Sequence, residues 1–208
     1  MALKIYGVAR SRAFRTLWLA GELGLPYEHV KVDFADGSTR RPEYLAINPN
    51  GHVPAIEDDG FRLWESMAIN LYLAKKYGSG GAGLYPQALQ DEARAWQWSF
   101  WGMTEVERPA LTALLNRIGP EERRDAAAAD EAERALAAPL KVLDAALTGT
   151  PYLLGERFTV ADLNVASILA WARQARVNLA AFPKAEAWLK ACHDRPAAQQ
   201  ARQLQREG

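Results

Sequence analysis

Ser11 lies between Arg10 and Arg12, at the point where the first helical pattern of the chain begins. A helix N-terminus carries free N–H groups and a partial positive charge, and with two arginines it favours a nearby anion. A hydroxyl here can donate a hydrogen bond to that anion, and a thiol bound here would have its pKa lowered, as happens to cysteines at helix N-termini. The same residue also fits a plain helix cap, so its position alone leaves both interpretations open.

Residues 48–54 contain two prolines and one glycine and lead directly into a strand pattern. The composition predicts an irregular loop, and Pro54 has no N–H to give to a β-ladder. If the Val53–Pro54 bond is cis, the backbone N–H and C=O of Val53 turn outward and can pair with an extended peptide. The alternative is a trans proline in an ordinary loop.

Glu65 and Ser66 follow a strand pattern and open a helical one. The N–H groups at the start of a helix bind carboxylates, and the Ser66 hydroxyl adds a further donor. The Glu65 carboxylate could pair with an ammonium group. Together the two residues could hold the head group of an α-amino acid. Taken alone, the pair fits a helix cap beside a surface acid better.

The residues that position these three segments form an alternation of short strands and helices within 1–78. Apolar alternation predicts strands around Ile5 and over 30–34, with a helix between them. A hairpin with a tight turn at Gly60 follows, and helical spacing returns over 66–77. The order β-α-β-(α)-β-β-α predicts an α/β layer with one parallel crossover and one hairpin.

A stretch rich in glycine, serine and proline follows, which predicts a linker over 79–88. Beyond it only helical periodicity occurs, so 89–208 is predicted to be an all-α domain of four or more helices. The fold class is therefore α/β plus all-α. Pro139 lies inside an Ala-rich helical segment and predicts a kink or a break there.

Aromatic side chains are concentrated over 96–101. At about 100° per residue they point in several directions, so burial of one helix face does not account for all of them. One face would pack inside the α domain, and the others could line a cleft or contact a partner subunit. Trp101, Met103 and Trp171 are candidate pocket residues, with core packing as the alternative.

Two further patterns in the second part indicate structure rather than chemistry. Thr159 and Asp162 have the spacing of a capping box, which assigns Asp162 a structural role. Cys192 and His193 are adjacent, so on a helix they point about 100° apart. We interpret them as a packed cysteine and a surface histidine.

Composition excludes several classes of function. The 208 residues carry 25 Lys+Arg and 25 Asp+Glu, so a strongly basic nucleic-acid footprint is not expected. Apolar runs of signal-peptide or membrane-spanning length are missing from the sequence, so no membrane association is expected. A single cysteine cannot form an intrachain disulfide and suits a reducing compartment. We expect a cytoplasmic protein.

The three candidate segments, in this order and spacing, resemble the cytosolic glutathione transferase family, in its serine-type, theta-like or bacterial form. Residues 11–28, beginning with Ser11, resemble the family's first helix and entry to its second strand. Residues 48–54 resemble its cis-proline loop, and Glu65-Ser66 resembles its γ-glutamyl pocket. The resemblance covers essentially the whole chain. It implies a thioredoxin-like glutathione-binding domain over 1–78 and an α-helical domain that supplies most of the electrophile pocket.

The same resemblance implies roles for individual residues. Val53 would pair with the cysteinyl part of glutathione across a cis Pro54, and Ser66 and Glu65 would hold the γ-glutamyl carboxylate and amine. His52 occupies a position that often helps to hold the glycine end. Candidate glutathione-binding residues are therefore Arg12, His52, Val53, Pro54, Glu65 and Ser66.

The resemblance assigns catalysis to a side chain near the end of the first strand. Ser11 falls where serine-type members carry the catalytic hydroxyl, and Tyr6 falls near the position used by tyrosine-type members. A backbone arrangement or Arg12 is a third option. The loop has no cysteine, which disfavours the branch of the family whose thiol forms mixed disulfides with glutathione.

The implied activity is conjugation of the glutathione thiolate to small apolar electrophiles by a homodimer, with glutathione as co-substrate and without a metal. One alternative is a glutathione-dependent disulfide or peroxide reductase on the same scaffold. Another is a non-enzymatic binding protein with the same fold.

Overall fold

The computed structural model describes residues 3–78 and 83–207. They form two compact units. The first comprises residues up to Tyr85 together with those from Asp194 onward, and the second comprises Pro86–His193. Residues 79–82 of the predicted linker lie outside the described residues.

The first unit is built on a four-stranded sheet in the order β2-β1-β3-β4. Strands β1 (Leu3–Tyr6) and β2 (Glu28–Val30) are parallel and are connected by helix α1 (Ala13–Glu22). Strands β3 (Ala55–Asp58) and β4 (Phe61–Trp64) complete it in antiparallel pairings, and the short helix α2 (Pro42–Leu45) precedes them. Helix α3 (Ser66–Gly78) follows, so the predicted mixed sheet with one crossover and one hairpin is confirmed.

The hairpin turn has the backbone that its sequence demands. Asp59 and Gly60 both have left-handed φ angles, of 50° and 87°. Two consecutive positive φ values define the type I′ turn, which matches the right-handed twist of the flanking strands, and Asp-Gly is one of its preferred sequences.

Strand β2 lies earlier in the chain than the apolar alternation over 30–34 predicts, and the two overlap only at Val30. It ends at Val30, whereas the pattern continued through Val32 to Phe34. The Ser38 hydroxyl accepts from the Asp33 N–H at 2.7 Å and donates to the Asp33 carbonyl at 2.8 Å. Because both backbone groups of Asp33 are bonded to this serine, no strand continues through Asp33, and the Phe34 side chain is exposed.

The last helix of the chain, α9 (Pro196–Glu207), packs in the first unit against α1. Three small residues, Ala197, Ala198 and Ala201, are buried. A Cβ added to Gly21 of α1 would lie 3.1 Å from the Ala197 Cβ, so the two helices approach closely because both residues are small. The sequence pattern predicts one domain over 89–208 because its helices follow one another in the chain. The order of the helices in the chain does not determine where the last helix packs.

The second unit is helical. It consists of α4 (Leu89–Trp101), α5 (Glu107–Ile118), α6 (Ala126–Ala146), α7 (Val160–Gln174) and α8 (Pro183–His193). A π-helical segment, Gly102–Val106, joins α4 to α5. Helix α7 is buried along nearly its whole length and forms the centre of the unit. The described part of this unit contains no strand beyond an isolated bridge between Tyr152 and Gly155, as predicted for an all-α domain.

Pro139 does not break α6, which runs continuously through it. A proline inside a helix removes the hydrogen bond to the carbonyl four residues earlier. That carbonyl belongs to Ala135, which is exposed, so water can satisfy it. Pro139 itself is buried in the core of the unit.

The capping box predicted at the start of α7 is confirmed. The Asp162 carboxylate accepts hydrogen bonds from the Thr159 N–H at 2.9 Å, the Leu153 N–H at 2.8 Å and the Trp188 indole at 2.9 Å. Burial raises the pKa of the Asp162 carboxyl, and these donors oppose that rise.

The interpretation of His193 as a surface residue is wrong, because its ring is 1% exposed and bonds through Nε2 to the Ala166 carbonyl at 3.0 Å.

Within residues 3–78 and 83–207, none of the helices combines the length and the apolar character needed to cross a bilayer.

Candidate functional site

The strand register brings the three candidate segments to one edge of the sheet. Tyr6 pairs with Ala55, and Ala55 pairs with Trp64. Tyr6 is the last residue of β1, Ala55 the first of β3 and Trp64 the last of β4. The loop that carries Ser11, the segment that ends at Pro54 and the Glu65-Ser66 pair therefore all leave the sheet from the same edge.

Gly7 allows two of these segments to pack directly on each other. A Cβ built on Gly7 would lie 2.9 Å from the Cβ of Ala13 and 2.9 Å from the Cβ of Val53, and its φ is +129°. Such contacts are too short for any side chain, and the backbone angle disfavours one as well. The missing side chain of Gly7 thus lets the start of α1 lie against the residue before Pro54.

The Ser11 hydroxyl lies one residue before the N-cap of α1 and has two hydrogen-bond partners. Its Oγ accepts the Ala13 N–H at 3.0 Å and donates to the Val8 carbonyl at 2.7 Å. The backbone N–H of Ser11 donates to the same Val8 carbonyl at 3.0 Å. Because this carbonyl keeps the backbone donor, the hydroxyl proton can turn toward another acceptor without leaving the carbonyl unsatisfied. Ser11 itself is half-buried.

Tyr6, the alternative to Ser11, lies in the core of the first unit. Its side chain is 8% exposed and packs with Val32, Val53 and Ala55. Its ring lies 6.2 Å from that of Tyr44, centroid to centroid. Burial, reinforced by the nearby Glu57 carboxylate, raises the pKa of the Tyr6 phenol. A phenol with a raised pKa is a poorer stabiliser of a neighbouring anion.

The two arginines that flank Ser11 differ in surroundings. Arg10 forms a close ion pair with Asp33, and its guanidinium lies 5.2 Å from the centre of the Phe34 ring. These contacts tie the Ser11 loop to the turn after β2. Arg12 is half-buried and occupies the N-cap position of α1.

The Val53–Pro54 bond is cis. His52, which precedes this bond, is held by two hydrogen-bond donors. Its carbonyl accepts from the Tyr44 hydroxyl at 2.6 Å and from the Asn48 amide at 2.7 Å. The His52 side chain is exposed. The β3 ladder begins at Ala55, so Val53 lies just before the residues that pair within the sheet.

Glu65 and Ser66 occupy the junction between β4 and α3. Glu65 has a left-handed φ of 73°, which costs a non-glycine residue roughly 1 kcal/mol or more. Residues held in such conformations cluster at active sites and ligand-binding sites. The Glu65 carboxylate is exposed, while Ser66 is buried as the first residue of α3.

Arg15 contacts the candidate site, and the sequence patterns do not single it out. It is 1% exposed, and its Nη1 donates to the Ser66 hydroxyl oxygen at 3.1 Å. Its backbone carbonyl accepts from the Asn70 amide at 3.4 Å, and Asn70 in turn accepts from the Thr16 hydroxyl at 3.1 Å. The available signal was an arginine within the apolar face of α1, because a buried cation requires partners.

The three candidate pocket residues belong to the second unit. Trp101 ends α4, Met103 lies in the π-helical segment and Trp171 lies in the last turns of α7. Each is half-buried. The indole of Trp98 meets that of Trp101 edge to face with centroids 5.0 Å apart, so part of the aromatic cluster packs on itself.

Comparison with known proteins gives consistent results over both units. A family model described as glutathione S-transferase, N-terminal domain, matches residues 1–75, and one described as glutathione S-transferase, C-terminal domain, matches residues 106–196. Glutathione S-transferase 3 of Zea mays is 37% identical over 207 residues, which are 95% of this chain and 91% of that protein. Glutathione S-transferase GstB of Escherichia coli K12 is 32% identical over 179 residues, 85% of each chain. The solved structure of a theta class glutathione S-transferase from Xanthomonas axonopodis pv. citri, with glutathione bound, matches with a TM-score of 0.88 at 33% identity over 96% of each chain.

Proposed function

Because the chain belongs to the glutathione S-transferase family, we propose that it conjugates glutathione to small apolar electrophiles with Ser11 as the residue that stabilises the thiolate. The observation that carries this proposal is the shared sheet edge, where the half-buried Ser11 hydroxyl, the residue before cis Pro54 and the start of α3 come together. A tripeptide laid along this edge would meet all three.

Ser11 acts by hydrogen bonding to the charged form of the glutathione sulfur. Its hydroxyl turns from the Val8 carbonyl toward the sulfur, and the carbonyl keeps the Ser11 backbone N–H. A donor to the thiolate lowers the pKa of the thiol, and the start of α1 adds a favourable partial charge. The half-buried Arg12, which follows Ser11 at the N-cap of α1, is the candidate cation near the thiolate. The thiolate then attacks the electrophilic carbon, and holding the two together supplies proximity.

The remaining residues hold the tripeptide. The backbone of Val53 pairs with the cysteinyl residue in the manner of a strand. The N–H groups and hydroxyl at Ser66 bind the γ-glutamyl carboxylate, with the Arg15 guanidinium behind them, and the exposed Glu65 carboxylate pairs with the amine. The exposed His52 side chain lies toward the glycine end of glutathione.

Trp101, Met103 and Trp171 line the electrophile pocket. The reaction requires no metal.

Exposed apolar side chains support a homodimer. Phe61 and Trp64 on β4 are 49% and 38% exposed, and Trp96 and Phe100 on α4 are 41% and 64% exposed. Large apolar groups at the surface favour association with a second copy. Light scattering on the purified protein would report the mass, and a Phe61→Glu variant that stays monomeric would place β4 in the interface. A cytoplasmic location is consistent with Cys192, which is buried and is the single cysteine of the sequence.

The test of the activity is turnover of one panel by the purified protein. The panel contains an aryl halide, an organic peroxide and a glutathionyl disulfide, each with glutathione. Conjugation of the aryl halide as the main activity supports the proposal, whereas dominant turnover of the peroxide or the disulfide identifies a reductase. Loss of retention on a glutathione resin, together with no turnover, identifies a non-enzymatic binding protein.

A further inference from the structure

The final helix α9 lies in the first unit although the chain reaches it only after the whole helical unit. Apart from Pro196, Leu204 and its buried alanines, this helix is polar. The family models match residues 1–75 and 106–196, so most of α9 lies beyond them. Its packing on α1 is specified by small residues on both helices. This placement raises the question of what α9 contributes to the site.

Polar contacts fix α9 to the C-terminal end of α1 and to the loop that precedes α1. At its start, Arg195 forms a bidentate pair with the Glu22 carboxylate, with both N–O distances at 2.7 Å, and Glu22 also accepts from the Trp18 indole at 3.0 Å. At its end, the Gln205 side-chain amide donates to the Ala9 carbonyl at 3.0 Å. Helix α9 therefore runs antiparallel to α1, and its C-terminal end reaches the loop that carries Ser11.

The carbonyl that Gln205 contacts has a particular place in that loop. The hydrogen bond from the Ser11 N–H to the Val8 carbonyl closes a β-turn over residues 8–11. Ala9 and Arg10 are its central residues, and the peptide between them can rotate without breaking the closing bond. The amide of Gln205 donates to the carbonyl of this central peptide, and the side chain of Arg10 forms an ion pair with Asp33.

We propose that Gln205 is a positioning residue for the reaction. By fixing the central peptide of the turn, it sets the direction in which Ser11 presents its hydroxyl to the glutathione sulfur. This inference rests on the proposed role of Ser11. It assigns to the C-terminal helix a function in the thiolate site rather than only in packing.

The first test compares two substitutions on the same helix in the full-length enzyme. Gln205→Met keeps the length of the side chain but removes the donor, and Gln203→Met is the matched control because Gln203 is exposed. Loss of one neutral hydrogen bond predicts a fall in kcat/KM of about threefold to tenfold for Gln205→Met. The pH profile should shift toward higher pH, because a less well-placed donor raises the pKa of the bound thiol. Gln205→Lys, which retains a long N–H donor, should restore much of the activity.

The second test asks whether Gln205 acts through Ser11. In a Ser11→Ala background, Gln205→Met should cause little further loss, since residues that act as a unit are not additive. A full additional loss in that background, or an unshifted pH profile in the single variant, would assign Gln205 to packing and overturn the inference. If Ser11→Ala itself remains fully active, the proposed function of Ser11 fails first, and the two failures are thereby told apart.

Discussion

Arg15 donates a hydrogen bond from Nη1 to the Ser66 hydroxyl oxygen across 3.1 Å, which places a buried cation against the first residue of α3. The guanidinium and the N-terminus of the helix are both positive at the same point. A carboxylate that binds there is attracted by both. A residue of α1 thus adds positive charge at the N-terminus of α3.

Replacement of this cation should weaken glutathione binding more than it slows chemistry. We expect Arg15→Met to raise KM for glutathione by roughly tenfold, the loss of about one charge-assisted hydrogen bond, with a smaller change in kcat. Arg15→Lys keeps the charge but not the planar fork, so an intermediate KM is expected. Steady-state kinetics at varied glutathione gives both constants. A lowered melting temperature with an unchanged KM would show that Arg15 serves the fold alone.

Ser11 and Tyr6 can be separated by removing one hydroxyl at a time. Ser11→Ala should lower conjugation by roughly tenfold or more while glutathione binding is nearly retained, because the lost donor acts mainly on the thiolate. Tyr6→Phe should have little effect, since its ring lies in the apolar cluster with Tyr44. Turnover of an aryl halide and calorimetric binding of glutathione measure the two quantities. An active Ser11→Ala enzyme beside an inactive Tyr6→Phe enzyme would reverse the assignment.

The Asp162 carboxylate should matter for stability rather than for turnover. It joins the start of α7 to Leu153 and to the Trp188 indole of α8. Asp162→Ala leaves those donors buried without an acceptor, at a cost of about 3 kcal/mol. Denaturant unfolding should show this loss, while kcat of the folded fraction stays near that of the wild type. Glu156→Ala, an exposed acid in the preceding loop, is the control and should leave both quantities unchanged. A loss of kcat without a loss of stability would contradict the structural role.

The sequence predicted most of the fold because its signals are local. The Asp59-Gly60 turn, the capping box at Thr159 and the helical periodicities each depend on residues close in the chain, and the structure contains all of them. The apolar alternation over 30–34 does not form a strand to its end, because Ser38 binds both backbone groups of Asp33 that a β-ladder would need. Ser38 lies outside the alternating pattern, so the pattern does not predict this contact.

The candidate site was predictable only in part, for the same reason. Ser11, Pro54 and Ser66 stand out by residue type at element boundaries. Arg15 and Gln205 do not, because their significance lies in contacts across 51 and 196 residues of chain. An arginine within an apolar helix face is a weak sequence signal for a buried functional contact. A glutamine in a glutamine-rich terminal helix gives no such signal.

Asp58 links β3 to the C-terminal half of α3 and should make stability depend on pH. Its carboxylate accepts from the Tyr72 hydroxyl at 2.9 Å, the Lys76 ammonium at 2.8 Å and the Tyr77 hydroxyl at 2.8 Å. Burial raises the pKa of Asp58, but the hydrogen bonds from these three side chains outweigh it and hold the pKa below its ordinary value.

Because the pKa is lower in the folded state, the stabilisation from Asp58 is complete above the unfolded pKa, at about pH 4 and higher. It is lost as the pH falls through the folded pKa, where protonation removes the charge that Lys76 faces. Asp58→Asn should therefore lower the free energy of unfolding at neutral pH by about 2 kcal/mol, the value of charge-assisted hydrogen bonds at a buried acceptor. The difference from the wild type should shrink toward acid pH. Urea unfolding at several pH values measures this, with the exposed neighbour Asp59→Asn as control. A pH-independent difference would mean that Asp58 stabilises the protein by shape and neutral hydrogen bonds, not by its charge.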